Sequence, residues 1–123
     1  MKLALTVWED RISPVADSAR KLLVVEIGSR SIRDRKLEHF INESIFERAR
    51  RLADLDTRIL ICGAISDFFA GLVKGYGIRL IPRIRGQVEE VVDAFLGETL
   101  TDPKFAMIGS LRGGLTRDEA EER

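Results

Sequence analysis

The sequence is poor in the side chains that most often carry chemistry: 123 residues hold one cysteine, one histidine, one tryptophan, one tyrosine and three prolines. A single thiol cannot close an internal disulfide, and it cannot alone complete a structural zinc or iron-sulfur site, which takes about four ligands. The only histidine, His39, falls in the charge-dense stretch SIRDRKLEHF, away from the loops that carry Cys62 and Ser66. No Cys-His or Ser-His-Asp arrangement is therefore expected, and nucleophilic catalysis with it. Neither sign of charge is in excess, with 20 basic and 20 acidic side chains, so no overall field steers nucleic acid or an anionic membrane toward the molecule. No apolar run approaches the roughly 18 residues of a membrane span. The opening MKLALTVWED meets Glu9 and Asp10 too early to be a signal peptide, so a cytoplasmic protein without nucleic-acid or membrane partners is expected.

What is present is a hydrophobic content of 45%, enough at this length for one domain with a real core. The domain is expected over residues 1–108. Residues 109–123, with adjacent glycines and then LTRDEAEER, are expected to form a flexible charged tail.

KLALTVW (2–8) reads as a short buried strand. KLLVVEI (21–27) is β-branched and apolar, and Gly28-Ser29-Arg30 offers a turn into residues 31–40, so the two runs predict a hairpin whose charged second arm guards a sheet edge. From Ser44 the period lengthens to that of a helix. Ser44 and Glu47 match a capping box, Ile45, Phe46, Ala49, Leu52 and Ala53 form the apolar stripe, and Glu47, Arg48, Arg50 and Arg51 fall outside it. RILICG is short and apolar enough for a central strand. Ser66 is placed to cap a helix with Phe69, Leu72, Val73 and Tyr76 on its stripe, closed at Gly77. IRLIP forms a last strand, and Val88, Val91, Val92 and Phe95 line a last helix ending near Gly97. The order β-β-β-α-β-α-β-α predicts an α/β fold with a five-stranded mixed sheet and helices on its faces.

In such sheets ligands gather beyond the carboxyl ends of the strands. Three loops leave those ends: Trp8-Glu9-Asp10-Arg11, Cys62-Gly63-Ala64-Ile65-Ser66 and Arg83-Ile84-Arg85-Gly86. The second precedes a helix N-terminus and the third brings two guanidinium groups before another, so the rim they share should favour an anion. The candidate ligand-binding residues are Asp10, Gly63, Ala64, Ser66, Arg83 and Arg85. Cys62 is the candidate metal ligand, because a helix N-terminus lowers a thiol's pKa and the thiolate binds soft metals. The plainer reading has Gly63 permitting a tight turn, Ser66 only capping, the arginines solvated and Cys62 a small buried hydrophobe. Hydrolysis supported by Glu9, Asp10 and Asp17 is weighed as well. It lacks the cluster of carboxylates that two-metal chemistry needs at the ends of the other central strands.

With these segments placed, VWEDRISPVADSARKLLVVEI, ILICGAIS and GIRLIPRIRGQVEEVVDAFLGETLTDPKF together resemble the dinitrogenase iron-molybdenum cofactor biosynthesis family, over roughly residues 1 to 110. The resemblance implies a ribonuclease H-like motif fold. It also implies non-enzymatic binding or carriage of an iron-sulfur or iron-molybdenum cluster precursor in nitrogenase-type cofactor assembly, with cofactor-assembly proteins as possible partners. Two positions depart from the family pattern: Ala16 stands where many relatives carry phenylalanine, and Ile108-Gly109-Ser110 where they carry a PGC cysteine. The alternative of another class is a small regulatory or interaction module that binds an anionic metabolite or a protein partner at the same rim without metal.

Overall fold

The computed structural model describes residues 1–108, so the charged tail expected at 109–123 lies outside the described residues. The first strand, β1 (Lys2–Trp8), occupies the middle of the sheet, and β2 (Arg11–Ile12) folds straight back on its end. β3 (Lys21–Gly28) and β4 (Ser31–His39) make the expected antiparallel hairpin, and β3 also pairs antiparallel with β1. After α1 (Ile45–Asp54), β5 (Thr57–Ile61) runs parallel to β1 on its other side. After α2 (Asp67–Gly75), β6 (Arg79–Ile81) runs parallel to β5, and α3 (Val88–Leu96) follows. The order across the sheet is β4-β3-β1-β5-β6. It is the mixed sheet of the ribonuclease H-like motif, with one strand more than the five expected, because β2 is only two residues long and carries no strand pattern of its own.

Alternation along the central strands divides the core in two. Leu3, Leu5, Val7, Val25, Ile59 and Ile61 face α3 and pack on Val88, Val91 and Val92. Ala4, Leu22, Val24, Leu60 and Cys62 face the opposite way, toward Ala49 and Leu52 of α1 and Phe69 and Val73 of α2. The sheet is thus covered on both faces, which is why β1 and β5 read as nearly unbroken apolar runs.

The helix caps follow the sequence. Ser44 and Glu47 form the reciprocal capping box of α1, and Gly77 sits at φ +82 just beyond α2. The apolar stripe of α1 is displaced from the one expected. Arg48, assigned to the solvent side, is buried with Ala49 and Leu52, while Phe46, assigned to the core, is 60% exposed. Arg48 is tolerated inside because its guanidinium donates to the carbonyls of Glu43 and Ala19 and lies 4.7 Å from the centroid of the Phe40 ring. Phe46 instead meets Phe68 of α2 edge to face, centroids 5.2 Å apart.

Candidate functional site

The three loops expected to form a rim do meet, and their backbones hold them together. Between β2 and β3, residues 13–19 cross over the end of the sheet as a strap. Ser13 N–H donates to the carbonyl of Thr6 at the end of β1. Ala64 N–H donates to Pro14 and Ala16 N–H to Ala64, at 2.9 and 2.8 Å. The turn after β6 docks on the other side, with Arg83 N–H donating to Gly63 and Ile84 N–H to Cys62. The first loop closes against the third, through Ile12 N–H to Gly86 and Val88 N–H to Asp10. Asp10, Gly63, Ala64, Ser66, Arg83 and Arg85 therefore lie around one end of the sheet, beyond the carboxyl ends of β1, β5 and β6.

Each has a local reason for its place. Gly63 is required by space: a Cβ there would stand 2.5 Å from the carbonyl oxygen of Ser13 and 2.7 Å from that of Pro14. Ala64 spends both backbone groups on the strap. Arg83 is held at φ 61, a left-handed conformation unfavourable for a residue with a side chain, between the bonds made by its N–H and its carbonyl. Nothing in the run PRIRG announces that backbone state. Arg85 is exposed, and its N–H donates to Phe105. Asp10 is also exposed, 3.7 Å from the Arg11 guanidinium.

Two expectations about this rim are corrected by the structure. The N-terminus of α2 is already occupied by an anion of the protein's own. Ser66 donates its backbone N–H to Asp17 Oδ1 at 2.9 Å and its hydroxyl to Asp17 Oδ2 at 2.6 Å, while its oxygen accepts from Phe69 N–H at 3.1 Å. The helix dipole that was to receive a ligand is met by the strap's carboxylate. Cys62, expected to offer a sulfur to the rim, is 0% exposed and packs in the core beneath the strap with Ala4, Ala16, Leu22 and Leu60. Burial pushes its thiol up to about 12, the charge of Asp17 acting in the same direction and that of Arg83 against it. The thiol is protonated near neutral pH, the reverse of the thiolate that a free helix end would favour.

His39 is exposed on β4, as expected for an edge strand, and its carbonyl accepts from Arg51. Among the described residues no three His, Cys, Asp or Glu side chains gather as a metal-holding group, and Glu9, Asp10 and Asp17 do not converge into one. No helix among them is long and apolar enough to cross a membrane. An open depression of about 650 Å3 lies at the opposite end of the sheet, lined by Ala53, Asp56, Thr57, Arg58, Tyr76, Gly77 and Ile78, and contains none of the rim residues.

The family model of the dinitrogenase iron-molybdenum cofactor matches residues 1–98, a span that takes in β1 to β6, α1 to α3 and the rim. The chain belongs to that family. Solved structures share its fold. The crystal structure of PH0822 superposes with a TM-score of 0.76 at 18% identity, covering 80% of this chain and 90% of that one. The crystal structure of a "putative dinitrogenase" from Methanocaldococcus jannaschii gives a TM-score of 0.68 at 17% identity, with the same coverages of 80% and 90%. Among curated proteins no sequence match is found. Family membership places this small chain in the setting of iron-molybdenum cofactor processes, and the fold of its relatives is the one described above.

Proposed function

We propose that the chain binds and carries an iron-sulfur or iron-molybdenum cluster precursor during cofactor assembly in the cytoplasm, handing it to assembly proteins without catalytic turnover. The observation that carries this reading is the family match across residues 1–98. The rim supports it in part. Cluster species of this kind are net anions, and the exposed residues Arg83 and Arg85 lie on the turn whose backbone docks against Cys62 and Gly63. The donor set does not support tight coordination in the closed form, since the Cys62 thiol is buried and protonated. The cargo is therefore held by charge on the rim, and becomes ligated by sulfur only if the strap moves.

Protein purified without oxygen and reconstituted with iron and sulfide tests this directly. Charge-transfer absorption that survives desalting, and that falls in the Arg83→Ala/Arg85→Ala double variant, is the expected result. Absence of retained absorption in the wild type would sink the reading.

The buried state of Cys62 gives weight to a second reading, an anion-binding regulatory module that never meets a metal. That reading requires the arginine variants to weaken binding of an anionic metabolite while Cys62→Ser leaves it unchanged.

A further inference from the structure

The strap over Cys62 is fastened differently from the rest of the fold. Its own apolar anchorage is small: Ala16 and Ala19 are buried with a methyl group each, whereas Pro14 is exposed and Val15 is 43% exposed. What holds it is a set of polar ties. These are Ser13 to Thr6, the two backbone bonds to Ala64, the Arg48 guanidinium on the Ala19 carbonyl, and the Asp17 carboxylate on Ser66. The strands beneath are fastened by Leu5, Leu22, Leu60 and Ile61, all fully buried. A segment held by hydrogen bonds and small side chains opens at a lower free energy than the core it covers.

Beneath the strap lies an unmet polar group. Thr6 is 1% exposed and its hydroxyl has no hydrogen-bond partner among the described residues. Thr6 pairs with Leu22 on β3 and follows Leu5, which pairs with Ile61 on β5, so Thr6 and Cys62 stand on neighbouring strands and face the same side of the sheet. A buried hydroxyl left without a partner penalises the closed state, because a partner or water would become available to it on opening.

We propose that residues 13–19 are a hinged strap that opens without unfolding the sheet, that the Asp17–Ser66 contact is its latch, and that opening exposes the Thr6 hydroxyl and the Cys62 thiol together. The strap converts a core cysteine into a ligand available on demand. That use rests on the cluster-carrying reading, but the opening itself needs no iron, so the two can fail separately.

Cys62 is the only thiol, which makes it a clean reporter. Native full-length protein is treated with excess iodoacetamide at several low urea concentrations, and the alkylation rate is followed by mass spectrometry. The wild type should react slowly, at a rate almost independent of urea, because a local opening exposes little surface. Asp17→Asn should raise the rate about ten-fold or more by weakening charge-assisted bonds. Ser66→Ala, which removes only the hydroxyl, should raise it by a smaller factor and serves if Asp17→Asn fails to fold. A wild-type rate with the urea dependence of global unfolding would overturn the proposal. So would acceleration in the variants that merely matches their loss of global stability.

Discussion

Gly63→Ala is the sharpest test of how the rim is built, because the added methyl group meets backbone on both sides and no flexible side chain can step aside. The strap must retreat by about 0.9 Å to bring the Ser13 carbonyl from 2.5 Å to an ordinary contact of 3.4 Å. A movement of that size takes the 2.9 Å bond from Ala64 N–H to the Pro14 carbonyl out of hydrogen-bonding range and stretches its neighbour from Ala16 to Ala64. Overpacking of this kind costs about 1–3 kcal/mol, and one or two weakened hydrogen bonds add about 1 kcal/mol each. The expected loss is about 2–5 kcal/mol out of a total stability of order 5–15 kcal/mol. At this chain length that lowers Tm by roughly 8–20 °C. Gly71→Ala is the control, since Gly71 lies inside α2 and, among the described residues, nothing stands within 4 Å of the new Cβ. There the same chemical change should stabilise by about 0.5–1 kcal/mol through helix propensity. Urea unfolding at 25 °C reads both, with the midpoint moving and the m-value held. A Gly63→Ala protein within about 0.5 kcal/mol of the wild type would refute the close packing of strap on turn.

Three further outcomes follow from the same geometry. The folded thiol of Cys62 lies above its unfolded value of 9.0, so it contributes stability that is intact below about pH 9 and is lost as pH rises toward about 12; the stability difference between wild type and Cys62→Ala should narrow by up to about 1.4 kcal/mol per pH unit above pH 9. Glu38 is held below the usual carboxylate range by the Arg51 guanidinium 2.9 Å away, in a pair whose side chains are 15% and 29% exposed; Glu38→Gln should cost about 1 kcal/mol at pH 7, and the difference should vanish as pH falls through the acid range, below the ordinary value of 4.5. Phe69→Ala, which empties a fully buried site, should cost about 3–5 kcal/mol, whereas Phe46→Ala on the exposed edge-to-face pair should cost about 1 kcal/mol, a contrast that calorimetry of the two variants would read.

The fold was legible because its signals are local and mutually consistent. Strand runs of the right length, two serine caps and the charged arm of the hairpin each fix one element, and the alternation of strand and helix then leaves few topologies. The stripe of α1 was misread for a physical reason. Arg48 is buried through its partners, the Glu43 and Ala19 carbonyls and the Phe40 ring, and partners 5 and 29 residues away along the chain do not show in a periodicity. β2 was missed because two residues carry no period. The left-handed Arg83 was missed because its conformation is imposed by bonds to Gly63 and Met107, not by its own preference.

The site was legible only as a set of loops, and the strap decides what those loops can do. A strand-end cysteine before a serine cap has the same sequence signature whether the helix N-terminus is open or already filled. Here the filling group, Asp17, stands 49 residues before Ser66. Once that carboxylate takes the backbone N–H and the hydroxyl of Ser66 and the strap takes both backbone groups of Ala64, part of the backbone dipole that could have attracted a cargo is spent within the protein. Arg83 and Arg85, both exposed residues, give this rim its positive charge toward an external anion. A cargo held by exposed guanidinium groups and not by a buried dipole or a thiolate should be displaced by salt over the range where the Debye length shrinks from about 10 Å at 0.1 M to about 3 Å at 1 M. Retention of a reconstituted cluster through a 1 M salt wash would mean that sulfur had entered its coordination, and in this fold that requires the strap to have opened.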